Sequence, residues 1–133
     1  MKKSRFLILV PATMFAILSM SVVKIGGDWK APPEADKIVN PLKGNTESIE
    51  AGKKTFKQMC AICHGNKGKG DGVAGMGLNP RPTDFSKSTF QEQTDGAIFW
   101  KLTKGRAPMA SYREILKEDQ RWQLVNYIRT LKK

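Results

Sequence analysis

Cys60-Ala61-Ile62-Cys63-His64 places both cysteines and the only histidine of a 133-residue chain within five positions. Two thiols and an imidazole so spaced suit three kinds of chemistry. A redox dithiol is the first, but Cys-x-x-Cys of that kind sits beside a βαβ pattern, and no strand signal precedes Cys60. A structural zinc site is the second, and it needs four ligands. After Cys60, Cys63 and His64 the chain has no fourth thiol or imidazole to offer. The third is covalent haem attachment, for which Cys-x-x-Cys-His is the signature. The thiols add to the vinyl groups, and the adjacent histidine reaches the iron from the proximal side. One covalently attached haem c per chain then uses every cysteine and the histidine, and this reading is preferred.

A second axial ligand must come from elsewhere. Met1, Met14 and Met20 fall in the leader, and Met59 shares a helix turn with an attachment cysteine. Met76 and Met109 remain, beside an open coordination position. Met109 is favoured as the distal iron ligand, because Gly105-Arg-Ala-Pro-Met109 reads as an irregular segment between two helices that can be aimed at the far haem face.

These groups have to be positioned by helices. Asn45 or Thr46 can cap a helix whose start is favoured by Glu47 and Glu50. Ile49, Gly52, Phe56 and Cys63 recur along it at helical spacing. A glycine inside a helix costs about 1 kcal/mol relative to alanine, so Gly52 implies a close backbone approach. The glycine- and proline-rich stretch Gly65–Asp84 is long for a connection, which suits a loop wrapped around a haem, its glycines letting backbone pass near the ring. Thr94 can cap a helix to Lys104 with Gly105 at its end, and Glu118 to Leu131 form a last helix with one apolar face. The expected class is all-α: three to four helices around a covalent haem, preceded by an N-terminal apolar segment. Some 89 residues make a marginal core alone, and a large apolar macrocycle would complete it.

Residues 1–24 differ from the rest. Lys2, Lys3 and Arg5 precede an uncharged run, Phe6–Val23, whose 18 residues are closed by Lys24. As a helix it reaches about 27 Å, close to the ~30 Å hydrocarbon core of a bilayer. It reads as a retained membrane anchor in preference to a cleaved signal peptide, because Ser19-Met-Ser21 is a poor cleavage site. Either way the remainder is exported, to the periplasmic face of the cytoplasmic membrane if anchored or the soluble periplasm if cleaved. Residues 25–44, with Pro32, Pro33 and Pro41, read as an extended tether, and the folded domain is expected over 45–133. Beyond the leader 19 basic residues face 12 acidic ones, a net +7 suited to an acidic protein partner or an anionic membrane surface. The cations form no stripe with interleaved aromatics, which argues against nucleic acid. Lys67, Lys69, Lys101, Lys104 and Arg106 could ring one exposed haem edge.

From Thr46 to the C-terminus the chain resembles the class I c-type cytochromes, specifically small bacterial monohaem members. The resemblance rests on Cys60-x-x-Cys63-His64-Gly65, Gly68-x-Gly70-Asp71-Gly72, Asn79–Phe85, Gly105–Met109 and Trp122–Leu131. It implies that Gly52 and Phe56 on the first helix meet Tyr127 on the last. It implies that a loop proline carbonyl, of Pro80 or Pro82, orients His64, and that Arg81 or Trp100 reaches the haem propionates. Two positions depart from the family pattern: Ala110 replaces a proline after the ligand methionine, and Lys117 stands where Ser or Thr usually opens the last helix.

Histidine–methionine ligation saturates the iron and favours a raised reduction potential. The expectation is a one-electron carrier without enzymatic activity or small-molecule substrate, passing electrons between respiratory redox proteins. Two alternatives stand: a haem enzyme or gas-binding sensor with a vacant or labile sixth position, and a cytochrome subunit of a larger oxidase or reductase.

Overall fold

The computed structural model describes residues 29–133. The leader therefore lies outside the described residues, as do positions 25–28. Among the described residues no helix is long and apolar enough to cross a membrane.

Five α-helices and no strand are found among them: α1 (Thr46–Met59), α2 (Ala61–His64), α3 (Ser88–Gln91), α4 (Asp95–Lys104) and α5 (Glu118–Arg129). Three run for ten residues or more, while α2 and α3 are single turns. The starts of α1 and α4 are set by the residues that read as caps. Asn45 Oδ1 accepts from the Ser48 N–H at 2.8 Å, and Thr94 Oγ1 from the Ala97 N–H at 3.0 Å, each pairing an otherwise orphaned donor. Lys117 offers no such oxygen to α5. Its own N–H donates to Gln120 Oε1 at 2.9 Å, the returning half of a capping box, and Glu118 and Asp119 complement the helix dipole.

The principal packing is α1 against α5. A Cβ on Gly52 would lie 1.9 Å from the carbonyl oxygen of Gln123, so only glycine lets the two backbones approach this closely. Phe56 and Tyr127 meet there with ring centroids 5.1 Å apart. Phe56, Leu124 and Val125 are fully buried, and Trp122 stacks on Phe99 of α4 at 3.9 Å. At roughly 25 cal/mol per Å² of apolar area, each such aromatic contributes several kcal/mol of burial.

Of the stretch expected as an extended tether, the described residues 29–44 are instead folded onto the domain. Pro33–Lys37 make a 3₁₀ turn, for which Pro33 supplies a preset φ. Ala35 is 1% exposed against α4, and a Cβ on Gly96 would sit 2.1 Å from the Ala35 carbonyl oxygen. Asn40 donates to Asp95 Oδ2 at 3.0 Å and to Asn126 Oδ1 at 2.8 Å. Asn126 in turn donates to the Leu42 carbonyl at 2.6 Å and to Ser48 Oγ at 2.8 Å. This buried amide pair ties the segment to α1, α4 and α5, and its groups would be costly to leave unpaired.

Candidate functional site

The turn that carries the two thiols follows α1 directly. Cys60 ends α1, and Cys63 and His64 fall in α2, whose carbonyls need partners beyond the helix. The glycine-rich loop provides them. The N–H groups of Gly70, Gly72 and Ala74 donate to the carbonyls of His64, Cys63 and Ile62 at 2.8, 3.1 and 2.9 Å. A Cβ at Gly72 would fall 2.5 Å from the backbone of Ile62 and Cys63. Gly72 in particular lets the loop close on the attachment turn itself.

Cys60 is buried and Cys63 half-buried, and neither is in a disulfide. Burial, with Cys63 beside it, pushes the Cys60 thiol up to about 12. A thiol held neutral in this way is a poor match to a redox-active dithiol, which works through a lowered pKa. Among the described residues no three of His, Cys, Asp and Glu converge as metal ligands, which also counts against the zinc arrangement. Tyr112 lies near both cysteines; its hydroxyl is pushed up by burial first and by the two thiols second.

His64 stacks on Phe85, with centroids 4.4 Å apart and planes 19° from parallel. Its Nδ1 faces the Thr83 carbonyl oxygen at 3.4 Å. Burial lowers its pKa, an effect the Thr83 carbonyl partly opposes. The carbonyl facing the ring is thus that of Thr83, next to Pro82, in place of Pro80 or Pro82. The Pro82 carbonyl is turned to Gly70 instead.

Met109 lies in a tight turn that begins where α4 ends at Gly105. Its N–H and carbonyl both pair with Arg106, at 2.8 and 3.1 Å. Behind it the Ser111 hydroxyl donates to the Thr103 carbonyl at 2.7 Å and the Tyr112 N–H to the Leu102 carbonyl at 3.0 Å. Main-chain bonds and the Ser111 hydroxyl thus hold this segment, although Ala110 stands where a proline is usual.

His64 and Met109, remote in sequence, line one cavity of about 770 Å³. The space is partly open to solvent and large enough to take a cofactor. Phe85, Phe90, Ile98, Leu102 and Ile128 give it apolar walls. Apolar side chains on one part of the lining, with an imidazole and a thioether beside them, fit a haem macrocycle, whose iron a nitrogen and a sulfur could hold. Cys60 and Cys63 are beside His64 in the chain but are not among the lining residues.

The other residues expected to contact the cofactor do not line this cavity. Arg81 and Pro82 border a separate groove with Met76, which is 55% exposed. Pro80 is exposed, and Trp100 packs on Trp29 at 6.5 Å. The cations on the lining are Lys30, Lys101 and Arg106, joined by Trp29 and Asp36. Sequence reasoning missed Trp29 and Thr83 altogether. Thr83 acts through a backbone carbonyl, which has no residue signature, and Trp29 lies in a stretch whose prolines read as a tether. Lys67 and Lys69 border another concavity with Lys57, Lys101 and Arg106 line this one, and Lys104 lines neither, so the five cations expected to form one ring are spread apart.

The family described as cytochrome c oxidase, cbb3-type, subunit III matches residues 47–128, more than half of the chain. Among solved structures, the Kuenenia stuttgartiensis reducing HAO-like protein complex Kustc0457/Kustc0458 contains a chain similar at 29% identity and a TM-score of 0.63. That likeness covers 72% of this chain, which spans only 50% of the other. The KustC0563 c-type cytochrome is similar at 28% identity and a TM-score of 0.53, over 62% of this chain and 98% of that one. No curated protein matches the sequence.

Proposed function

Because the chain belongs to the family described as cytochrome c oxidase, cbb3-type, subunit III, we propose that it is a one-electron carrier built on one covalent haem c. The observation that carries this reading is the cavity that His64 and Met109 both line. When bound, haem c supplies a one-electron iron couple. Cys60 and Cys63 would tether it, and the His64 nitrogen and Met109 sulfur would hold its iron. Phe85, Phe90 and Leu102 would cover one part of the bound group with apolar surface. With His64 and Met109 both holding the iron, the chain would leave no position for a substrate. The protein then moves electrons between redox proteins and performs no bond chemistry. We place it outside the cytoplasm, at the periplasmic face if residues 1–24 are retained as an anchor, in keeping with the basic start and uncharged run of the leader.

The family name and the solved complex favour one variant of this reading, in which the carrier is a subunit of a larger oxidoreductase. The haem enzyme or sensor alternative requires that Met109 not hold the iron.

The test is expression of the full chain in a host that matures c-type cytochromes, followed by denaturation and acid–acetone extraction. Colour that stays with the chain, at a mass increment of one haem, supports the proposal. Colour that extracts freely, or zinc in its place, overturns it.

A further inference from the structure

We propose that residues 29–40, which precede the family-matched region, are part of the cofactor site, with Trp29 a positioning residue that shields the cavity and, with Lys101 and Arg106, raises the potential of the group it holds. This rests on the reading of the cavity as a haem site.

Trp29 and Asp36 lie on the cavity lining, so the segment supplies one of its walls. Two attachments set that wall in place. Ala35 is seated against Gly96, and Asp36 Oδ1 accepts from Thr94 Oγ1 at 2.7 Å, at the very start of α4. Further along, Asn40 anchors to Asp95 and Asn126. The Trp29 ring is in turn held by the opposite side of the cavity. Lys101 Nζ lies 5.7 Å and Arg106 Cζ 5.1 Å from its centroid, within cation–π range, and the Trp100 ring is 6.5 Å away. Gln93 Oε1 accepts from Lys101 Nζ, which fixes the ammonium on the lining.

The consequence is electrostatic. An oxidised iron centre carries one more positive charge than a reduced one. A dry wall disfavours that charge, since ion solvation falls with the local dielectric. Nearby cations disfavour it again by direct repulsion, and burial and surrounding charge are established levers on haem potential. The charged groups on the lining are Lys30, Lys101 and Arg106 against Asp36, with His64 as the further titratable group. The balance is positive, and the half-buried Trp29 ring covers part of the lining. Both effects favour the reduced state.

The experiment uses the full chain carrying covalent haem, with redox titration as the main readout. Trp29→Ala lowers the midpoint potential, and Trp29→Phe restores most of it, because an aromatic ring still fills the wall. Gly96→Ala leaves Trp29 intact but drives a Cβ against the Ala35 carbonyl, 2.1 Å away, and so displaces the segment. It lowers the potential in the same direction. Lys101→Gln removes the charge together with its contact to the Trp29 ring and also lowers the potential, with a shift that shrinks as salt is added, and it serves where the other variants fold poorly. Potentials unchanged in all of these, on chains that still carry covalent haem, overturn the role of the segment and leave the electron-carrier reading intact. Absence of covalent haem from the unmodified chain overturns both.

Discussion

Gly52 of α1 faces the backbone carbonyl of Gln123 on α5 so closely that a Cβ would fall 1.9 Å from the oxygen. Two effects of a Gly52→Ala change oppose one another. Alanine is the better helix former by about 1 kcal/mol. Against this, the Gln123 carbonyl belongs to a helix packed on both sides and has little room to retreat, and overpacking costs about 1–3 kcal/mol or more. The clash wins, and a net loss of about 1–2 kcal/mol is expected in urea unfolding. Gly77 is the control, because a Cβ placed there would meet nothing within 4 Å. Gly77→Ala should leave stability within about 0.5 kcal/mol of the unmodified chain.

Met109 and Met76 separate the carrier from its rivals. Met109 shares the cavity with His64, whereas Met76 is 55% exposed beside another groove. Met109→Ala in the haem-loaded chain should remove the sulfur-to-iron charge-transfer band and allow carbon monoxide to bind the reduced protein. Met76→Ala should change neither. Carbon monoxide binding by the unmodified protein would instead favour a sensor or enzyme.

Much of this site was legible in the residues because its parts are side chains with rare chemistry. Two thiols and one imidazole in five positions leave little choice of use, and Asn45 and Thr94 act on donors only three residues away. What escaped was long-range or main-chain. The prolines before Asn45 have the composition of a linker, and only Ala35 against Gly96 and Asn40 against Asn126 make them structure. The Thr83 carbonyl facing His64 carries no signature at all, and α3 is a single turn whose one buried residue, Phe90, sets no period. The glycines of the loop marked close approaches, of Gly72 and Gly75 to the backbone of α2 and of Gly70 to the Pro82 carbonyl.

Asp95 makes the fold sensitive to acid. Burial alone would raise its pKa, yet hydrogen bonds from Asn40 and Arg129, with the charges of Arg129 and Lys43, hold the carboxyl below its ordinary range. Arg129 Nε donates to Asp95 Oδ1 at 2.7 Å, closing the start of α4 onto the end of α5. A carboxyl whose folded pKa is depressed contributes stability above its unfolded pKa, and that contribution is lost as pH falls through the folded value. The loss attributable to Asp95 should therefore set in below about pH 4. Asp95→Asn should cost about 1–3 kcal/mol at neutral pH and flatten this acid limb. Thermal unfolding of both chains between neutral pH and pH 2 measures the two effects together.

The outer side of the attachment turn is the surface expected to receive an acidic redox partner. Ile62 and Val73 are 54% and 71% exposed there, in a groove bordered by Lys57, Lys67 and Lys69, with Asp71 as its acidic residue. Apolar groups surrounded by cations suit a partner whose contact face is apolar at its centre and acidic at its rim. The two parts should act on different steps. Charge steers the encounter and is screened beyond about 8 Å at physiological salt. Apolar contact governs how long the pair stays together. Replacing Lys57, Lys67 and Lys69 with glutamine should slow second-order electron transfer with an acidic partner about tenfold at low salt, and flatten the salt dependence. Ile62→Ser should weaken the complex while the salt slope stays as it was. Stopped-flow rates across a salt series test both, and a rate indifferent to salt in the unmodified protein would remove this surface from the route of the electron.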